Sequence, residues 1–188
     1  ANQNMSTIFL AARQIKRSVP IAKKYFNYEL QNKSSVILNP VDEVFFNTKR
    51  AEYCHGIVTI GRLEEQKNHK LLIQAYTNLI KKGKYIDDLY IYGDGSLREE
   101  LTELIHKNGL QNKVHLLGKV NNVADILSKS KLFILSSDFE GLPNVLMEAM
   151  ACGTPVISTD CPCGGPKMLL GNIDKSIRIK MYIAATYM

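Results

Sequence analysis

Short apolar runs alternate along the chain with longer stretches whose apolar side chains recur every three or four positions. Gly56-Ile57-Val58-Thr59-Ile60 is apolar and ends at Gly61, the pattern of a strand covered on both faces. Asn68 then stands where it can cap a helix, with Leu71, Leu72, Ala75, Tyr76, Leu79 and Ile80 on one face. Leu89-Tyr90-Ile91-Tyr92 predicts a second strand, closed by Gly93-Asp94-Gly95. Ser96 opens the next helix through Leu97, Leu101, Leu104 and Ile105, with Glu99 at capping-box spacing. Val114-His115-Leu116-Leu117-Gly118 is the third strand, and a short helix over Val123–Leu127 leads to the fourth, Lys131–Leu135. Val156-Ile157-Ser158 is the fifth.

Strands alternating with amphipathic helices predict an α/β fold, a Rossmann-like doubly wound parallel sheet. Right-handed crossovers favour the strand order 3-2-1-4-5. In that order the first and fourth strands are neighbours where the winding reverses. Their carboxyl-end loops, Gly61–Asn68 and Ser136–Pro143, then share one crevice, the usual ligand position in such sheets.

The second of these loops opens a dense stretch. In Ser136-Ser137-Asp138-Phe139-Glu140-Gly141-Leu142-Pro143, Gly141 permits a close backbone approach and Pro143 suits a first helical turn. Leu146, Met147, Met150 and Ala151 follow at helical spacing, and Gly153 stops the helix before Pro155. Glu140 lies before the helix start and Glu148 within the helix. Free N–H groups at a helix start hold anions, and carboxylates accept hydrogen bonds from sugar hydroxyls. The stretch therefore suits a ligand with phosphates beside hydroxyls. It also reads as an ordinary strand, loop and helix with two exposed glutamates.

In the first loop, Gly61-Arg62-Leu63-Glu64-Glu65-Gln66-Lys67-Asn68, Arg62 and Lys67 offer two cations. At the crevice they would neutralise a diphosphate without a metal; elsewhere they are a charged surface loop. Gly93-Asp94-Gly95-Ser96 lacks the dinucleotide fingerprint, and a tight strand-to-helix turn is its expected role. His55, His69, His106 and His115 are scattered, and each is expected to be a surface or core residue.

Composition narrows the classes. The chain has 188 residues, 45% hydrophobic and 22% charged, enough for one complete domain and a fragment of another. Net charge +6 and a pI near 9.1 favour anionic ligands. The basic residues are dispersed, so a nucleic-acid stripe is not expected. No apolar run reaches about 18 residues, so nothing is predicted to span a bilayer. Cys54, Cys152, Cys161 and Cys163 form no C-x-x-C pair, which points to reduced structural thiols and no metal site.

Glu140 and Glu148, enclosing Gly-Leu-Pro-Asn-Val-Leu-Met and continued by Ala149-Met150-Ala151-Cys152-Gly153-Thr154-Pro155-Val156-Ile157, resemble the signature of family 4 retaining glycosyltransferases with the GT-B fold. Gly-Arg-Leu with Gln-Lys-Asn resembles the same family's diphosphate loop, with Arg62 and Lys67 at its basic positions. The resemblance covers about residues 36–167. It implies that Gly61, Arg62, Lys67, Gly141 and the backbone N–H groups of Asn144 and Val145 meet the diphosphate. Glu148 would hold the ribose, Lys119 and Val120 the base, and Glu140 the donor sugar beside the reacting carbon. No metal or cofactor is implied; the substrate is a nucleoside-diphosphate sugar. The acceptor would be a glycan or lipid-linked saccharide, as in polysaccharide, lipopolysaccharide or capsule synthesis. The expected location is cytoplasmic, with peripheral contact to an anionic membrane.

Val36-Ile37-Leu38-Asn39-Pro40-Val41-Asp42 resembles the crossover between the family's two domains. Residues 1–38 are then the end of an acceptor domain, 39–170 the nucleotide-sugar domain and 171–188 an atypical or truncated tail. Pro20–Tyr28 is helix-like and Ser35–Leu38 strand-like. The pattern departs after Lys167: Cys161–Lys167 carries an extra glycine, and Met168 stands where relatives carry glutamate. The alternating tail from Ile173 reads as a strand or a basic membrane-surface segment. The main expectation is a donor-binding domain that binds nucleotide but is inactive alone. The alternatives are a non-catalytic nucleotide- or partner-binding remnant, and a GT-B epimerase or phosphorylase.

Overall fold

The computed structural model describes residues 39–84, 86–161, 165–170 and 181–184. The expected helix at 20–28, the strand at 35–38 and the loop residues 162–164 lie outside them. A short helix α1 (Glu43–Asn47) begins where the Asp42 carboxylate accepts from Val44 N. Strand β1 (Ile57–Ile60) leads through a 3-10 turn (Glu65–Lys67) to α2 (His69–Lys81). There follow β2 (Leu89–Tyr92), α3 (Arg98–Lys107), β3 (Val114–Gly118), α4 (Val123–Ser128), β4 (Leu132–Leu135), α5 (Asn144–Ala151), β5 (Val156–Thr159), α6 (Gly165–Leu170) and β6 (Met181–Ala184).

The sheet order is β3-β2-β1-β4-β5-β6. The first five strands run parallel, as expected, and β6 adds an antiparallel edge beside β5. Part of the tail thus pairs as a strand. Ile57 and Val58, adjacent in β1, enter opposite cores, because successive strand side chains point to opposite faces. One core joins Leu89, Ile91 and Val114 to Ile73, Tyr76 and Leu101; the other joins Phe133, Leu135 and Val156 to Leu146 and Ala149. Gly153 ends α5 with φ +70°, its N–H donating to Met150 O, as its position in sequence foretold. Among the described residues, no helix is long and apolar enough to cross a membrane.

Three local expectations are corrected. The buried face of α2 is His69, Leu72, Ile73, Tyr76 and Thr77, whereas Leu71, Ala75 and Leu79 face outward. Polar Thr77 and His69 take inner positions with local bonds: Thr77 Oγ1 donates to Ile73 O, and His69 Nε2 meets Arg62 O while its buried Nδ1 has no partner among the described residues. At α3, Ser96 makes no capping bond, and the helix starts at Arg98. Its first turn is tied by backbone instead, with Leu97 N donating to Leu63 O. Pro143 precedes α5 as its capping residue rather than lying inside the first turn.

Candidate functional site

The candidate site residues lie largely in loops at the carboxyl ends of the parallel strands, and backbone hydrogen bonds knit these loops together. Gly93 N donates to Gly118 O, Gly61 N to Tyr92 O, and Leu63 N to Asp94 O. A Cβ on Gly93 would overlap the Gly61 carbonyl, and its φ is +144°. The second strand's loop can lie this close to the first only because that position is glycine. Gly93 therefore packs the loops and turns the chain, as the missing fingerprint suggested.

The loops after β1 and β4 meet through consecutive contacts. Ser136 Oγ donates to Lys67 O (2.9 Å), Asp138 N to Gln66 O (3.0 Å) and Gln66 Nε2 to Phe139 O (3.0 Å). Asn68, at φ +43°, accepts from Leu71 N and donates to Asp138 Oδ1 at 2.7 Å. It caps α2, as expected, and also fastens the two loops.

Lys67 Nζ lies 2.6 Å from Glu140 Oε1, and Ser137 Oγ donates to the same oxygen at 2.7 Å. Glu140 is only 7% exposed, so this is a buried, hydrogen-bonded ion pair. Its Oε2 has no hydrogen-bond partner among the described residues. Ser137 is held in turn, its carbonyl accepting from Thr159 Oγ1 and Cys161 Sγ. One carboxylate oxygen is thereby anchored and the other is not. The Gly61 backbone runs beside the Lys67 stem, which a Cβ there would meet at 3.3 Å.

Arg62 is placed differently. Its guanidinium is exposed, pairing with Glu64 at 2.8 Å and donating to Gln66 Oε1 at 3.3 Å. His69 Nε2 holds its carbonyl at 3.2 Å. Burial, reinforced by Lys67, lowers the His69 pKa to about 4, so the ring is neutral and Nε2 carries the donating proton.

At the start of α5, Asn144 and Val145 have no acceptor for their backbone N–H groups among the described residues, as a helix start requires. Asn39 Nδ2 donates to Asn144 Oδ1 (2.6 Å) and Leu142 O (3.4 Å), steadying this turn from the preceding segment. Gly141 is pressed against Gly165, whose absent Cβ would overlap the Gly141 carbonyl. Glu148 is half-buried with no side-chain partner among the described residues, and burial raises its carboxyl pKa. Burial likewise raises the Cys152 thiol to about 11, with the Glu148 charge adding to it. Lys119 is exposed and Val120 half-buried just past Gly118.

The structure thus brings Gly61, Lys67 and Glu140 together and reaches Arg62 through Gln66. Gln66, Ser137 and Asn39 were not among the expected site residues, whereas His69 is buried, one of the two placements expected for it. Ser137 and Gln66 had a signal: Gln66 adjoins Lys67, and Ser137 is a polar residue of the same loop as Glu140. Asn39 had none beyond its type.

A Rossmann-like α/β domain whose β1 and β4 loops meet where the winding reverses is the class defined by this fold. The chain belongs to the glycosyl transferases group 1 family, whose family model matches residues 54–179. It is 37% identical over 152 residues to an uncharacterized glycosyltransferase of Methanocaldococcus jannaschii, covering 81% of this chain and 37% of that protein. It is 42% identical over 112 residues to the Campylobacter jejuni N-acetylgalactosamine-N,N'-diacetylbacillosaminyl-diphospho-undecaprenol 4-alpha-N-acetylgalactosaminyltransferase, covering 60% of this chain and 30% of that one. The chain therefore spans about a third of the length of these relatives. Among solved structures, Anabaena HepE with UDP and glucose superposes with a TM-score of 0.71 at 22% identity, covering 86% of this chain and 46% of that one. The pneumococcal O-GlcNAc transferase GtfA with UDP and GlcNAc gives 0.65 at 24% identity, covering 78% and 29%. The fold is that of the Rossmann-like half of a GT-B glycosyltransferase.

Proposed function

We propose that this chain is the donor-binding domain of a retaining GT-B glycosyltransferase that binds a uridine-diphosphate sugar. The observation that carries the reading is the buried Lys67–Glu140 pair at the junction of the β1 and β4 loops. A carboxylate with one oxygen anchored by a cation and a hydroxyl, and the other unoccupied, is an acceptor preorganised for sugar hydroxyls. HepE and GtfA, which share the fold, were each crystallised with UDP and a sugar, which favours uridine as the base.

In this reading Arg62, Lys67 and the N–H groups of Asn144 and Val145 neutralise the diphosphate as it leaves. Glu148 accepts from the ribose hydroxyls, and the backbone near Lys119 and Val120 faces the base. The bond from the anomeric carbon to the diphosphate oxygen breaks. The acceptor hydroxyl bonds to the same face of that carbon and gives its proton to the departing phosphate. No metal is required, since fixed cations supply the charge. The acceptor is a glycan or lipid-linked saccharide, the latter in keeping with the diphospho-undecaprenol in the name of the Campylobacter relative. Residues 1–38 would belong to the acceptor domain.

Calorimetry tests the diphosphate assignment. Arg62→Ala is expected to weaken UDP binding by about 1.5–3 kcal/mol, the range for a hydrogen bond to a charged group, with uridine nearly unaffected. Equal losses for UDP and uridine overturn it.

A further inference from the structure

We propose that Gln66 is a positioning residue that holds the Arg62 guanidinium beside the β4–α5 loop. Both ends of its amide are committed. Nε2 donates to the Phe139 carbonyl at 3.0 Å, and Oε1 accepts from Arg62 Nη2 at 3.3 Å. Only this amide orientation gives both partners a bond, because a carbonyl cannot donate and a guanidinium cannot accept. The Gln66 backbone is pinned as well, its carbonyl accepting from Asp138 N at 3.0 Å. A chain of contacts therefore runs from the residue preceding Glu140, through one amide, to Arg62.

The chemistry of the amide suits this task. Arg62 Nη1 pairs with Glu64 in an exposed bridge, the kind that yields readily to a stronger anion. Its Nη2 is held by a neutral acceptor, which orients the cation without cancelling its charge. An incoming diphosphate can displace Glu64 from Nη1 while the Gln66 bond stays. An arginine oriented beforehand gives up less rotamer freedom when it binds. A glutamate at position 66 would neutralise the guanidinium and lose the donor to Phe139.

The inference rests on the diphosphate reading, so the experiment separates the two. Gln66→Met keeps the volume and removes both bonds. In the free protein, the NMR signal of the Arg62 Nε–H group is expected to be ordered in the wild type and averaged in Gln66→Met, with the thermal midpoint little changed. UDP affinity is expected to fall roughly three- to tenfold, the size of a neutral hydrogen bond, with uridine affinity unchanged. In an Arg62→Ala background the same substitution should cost nothing further, since its effect passes through Arg62. An Arg62 signal indifferent to Gln66→Met, or a UDP loss that persists without Arg62, overturns the proposal. If the Arg62 signal responds but Arg62→Ala leaves UDP affinity intact, the positioning role stands and the diphosphate reading falls.

Discussion

Lys67 Nζ and Glu140 Oε1 lie 2.6 Å apart, joining the loop after β1 to the loop after β4 across 73 residues of chain. Both side chains are nearly closed to solvent, at 15% and 8% exposure. The pair is the point where the two loops of the winding reversal become one site.

Breaking the pair on one side should unbalance the core of the crevice. Lys67→Ala leaves a buried carboxylate without its cation, a change that typically costs about 3–5 kcal/mol. Lys67→Met combined with Glu140→Gln removes both charges and is expected to recover most of that loss. Urea unfolding of the single and double variants checks this. A double variant no more stable than Lys67→Ala would show that charge burial is not the cause.

Glu148 should trade stability for binding. Burial raises its folded-state pKa above the unfolded one. Ionisation therefore disfavours the fold, and stability falls as pH rises from the ordinary glutamate range through the raised value. Glu148→Gln is expected to stabilise the ligand-free domain at neutral pH. It should also weaken UDP binding while discriminating less against 2′-deoxy-UDP. An unchanged ribo-to-deoxy affinity ratio would make Glu148 an ordinary helix glutamate.

His69 titrates in the opposite sense. Its folded pKa is lowered to about 4, so between 6.5 and 4 the unfolded chain takes up a proton that the native ring refuses. Its contribution to stability is present above that window and is lost as pH falls through it. The stability difference between wild type and His69→Gln is expected to be larger at about pH 7.5 than at about pH 4. A pH-independent difference, measured by urea midpoints, would mean that the ring is not buried neutral.

Gly165 should be intolerant of any side chain. Gly165→Ala places its Cβ on the Gly141 carbonyl, so either α6 or the Gly141–Asn144 turn must move. The expected result is a lowered thermal midpoint together with weaker UDP binding. An unchanged thermal midpoint in Gly165→Ala would show that α6 accommodates a side chain there.

The five parallel strands, their order and the two loops that meet were legible in the chain, because period and punctuation are local properties. Ile57–Ile60 and Leu132–Leu135 are apolar runs bounded by breakers, and right-handed crossovers leave few ways to arrange them. The same local signals identified Asn68 as a cap and Gly153 as a stop. Which face of α2 turns inward was decided only in three dimensions, where internal hydrogen bonds let His69 and Thr77 replace Leu71 and Leu79. Partners far apart in sequence were likewise invisible: Gln66 with Phe139, Asn39 with Asn144, and Gly165 with Gly141. Their identities carry no periodic signal, since a single hydrogen bond or close approach depends on where folding places two backbones. Residue types therefore offered candidates in the two loops, and only the tertiary contacts decided which oxygen of Glu140 is anchored and what holds Arg62.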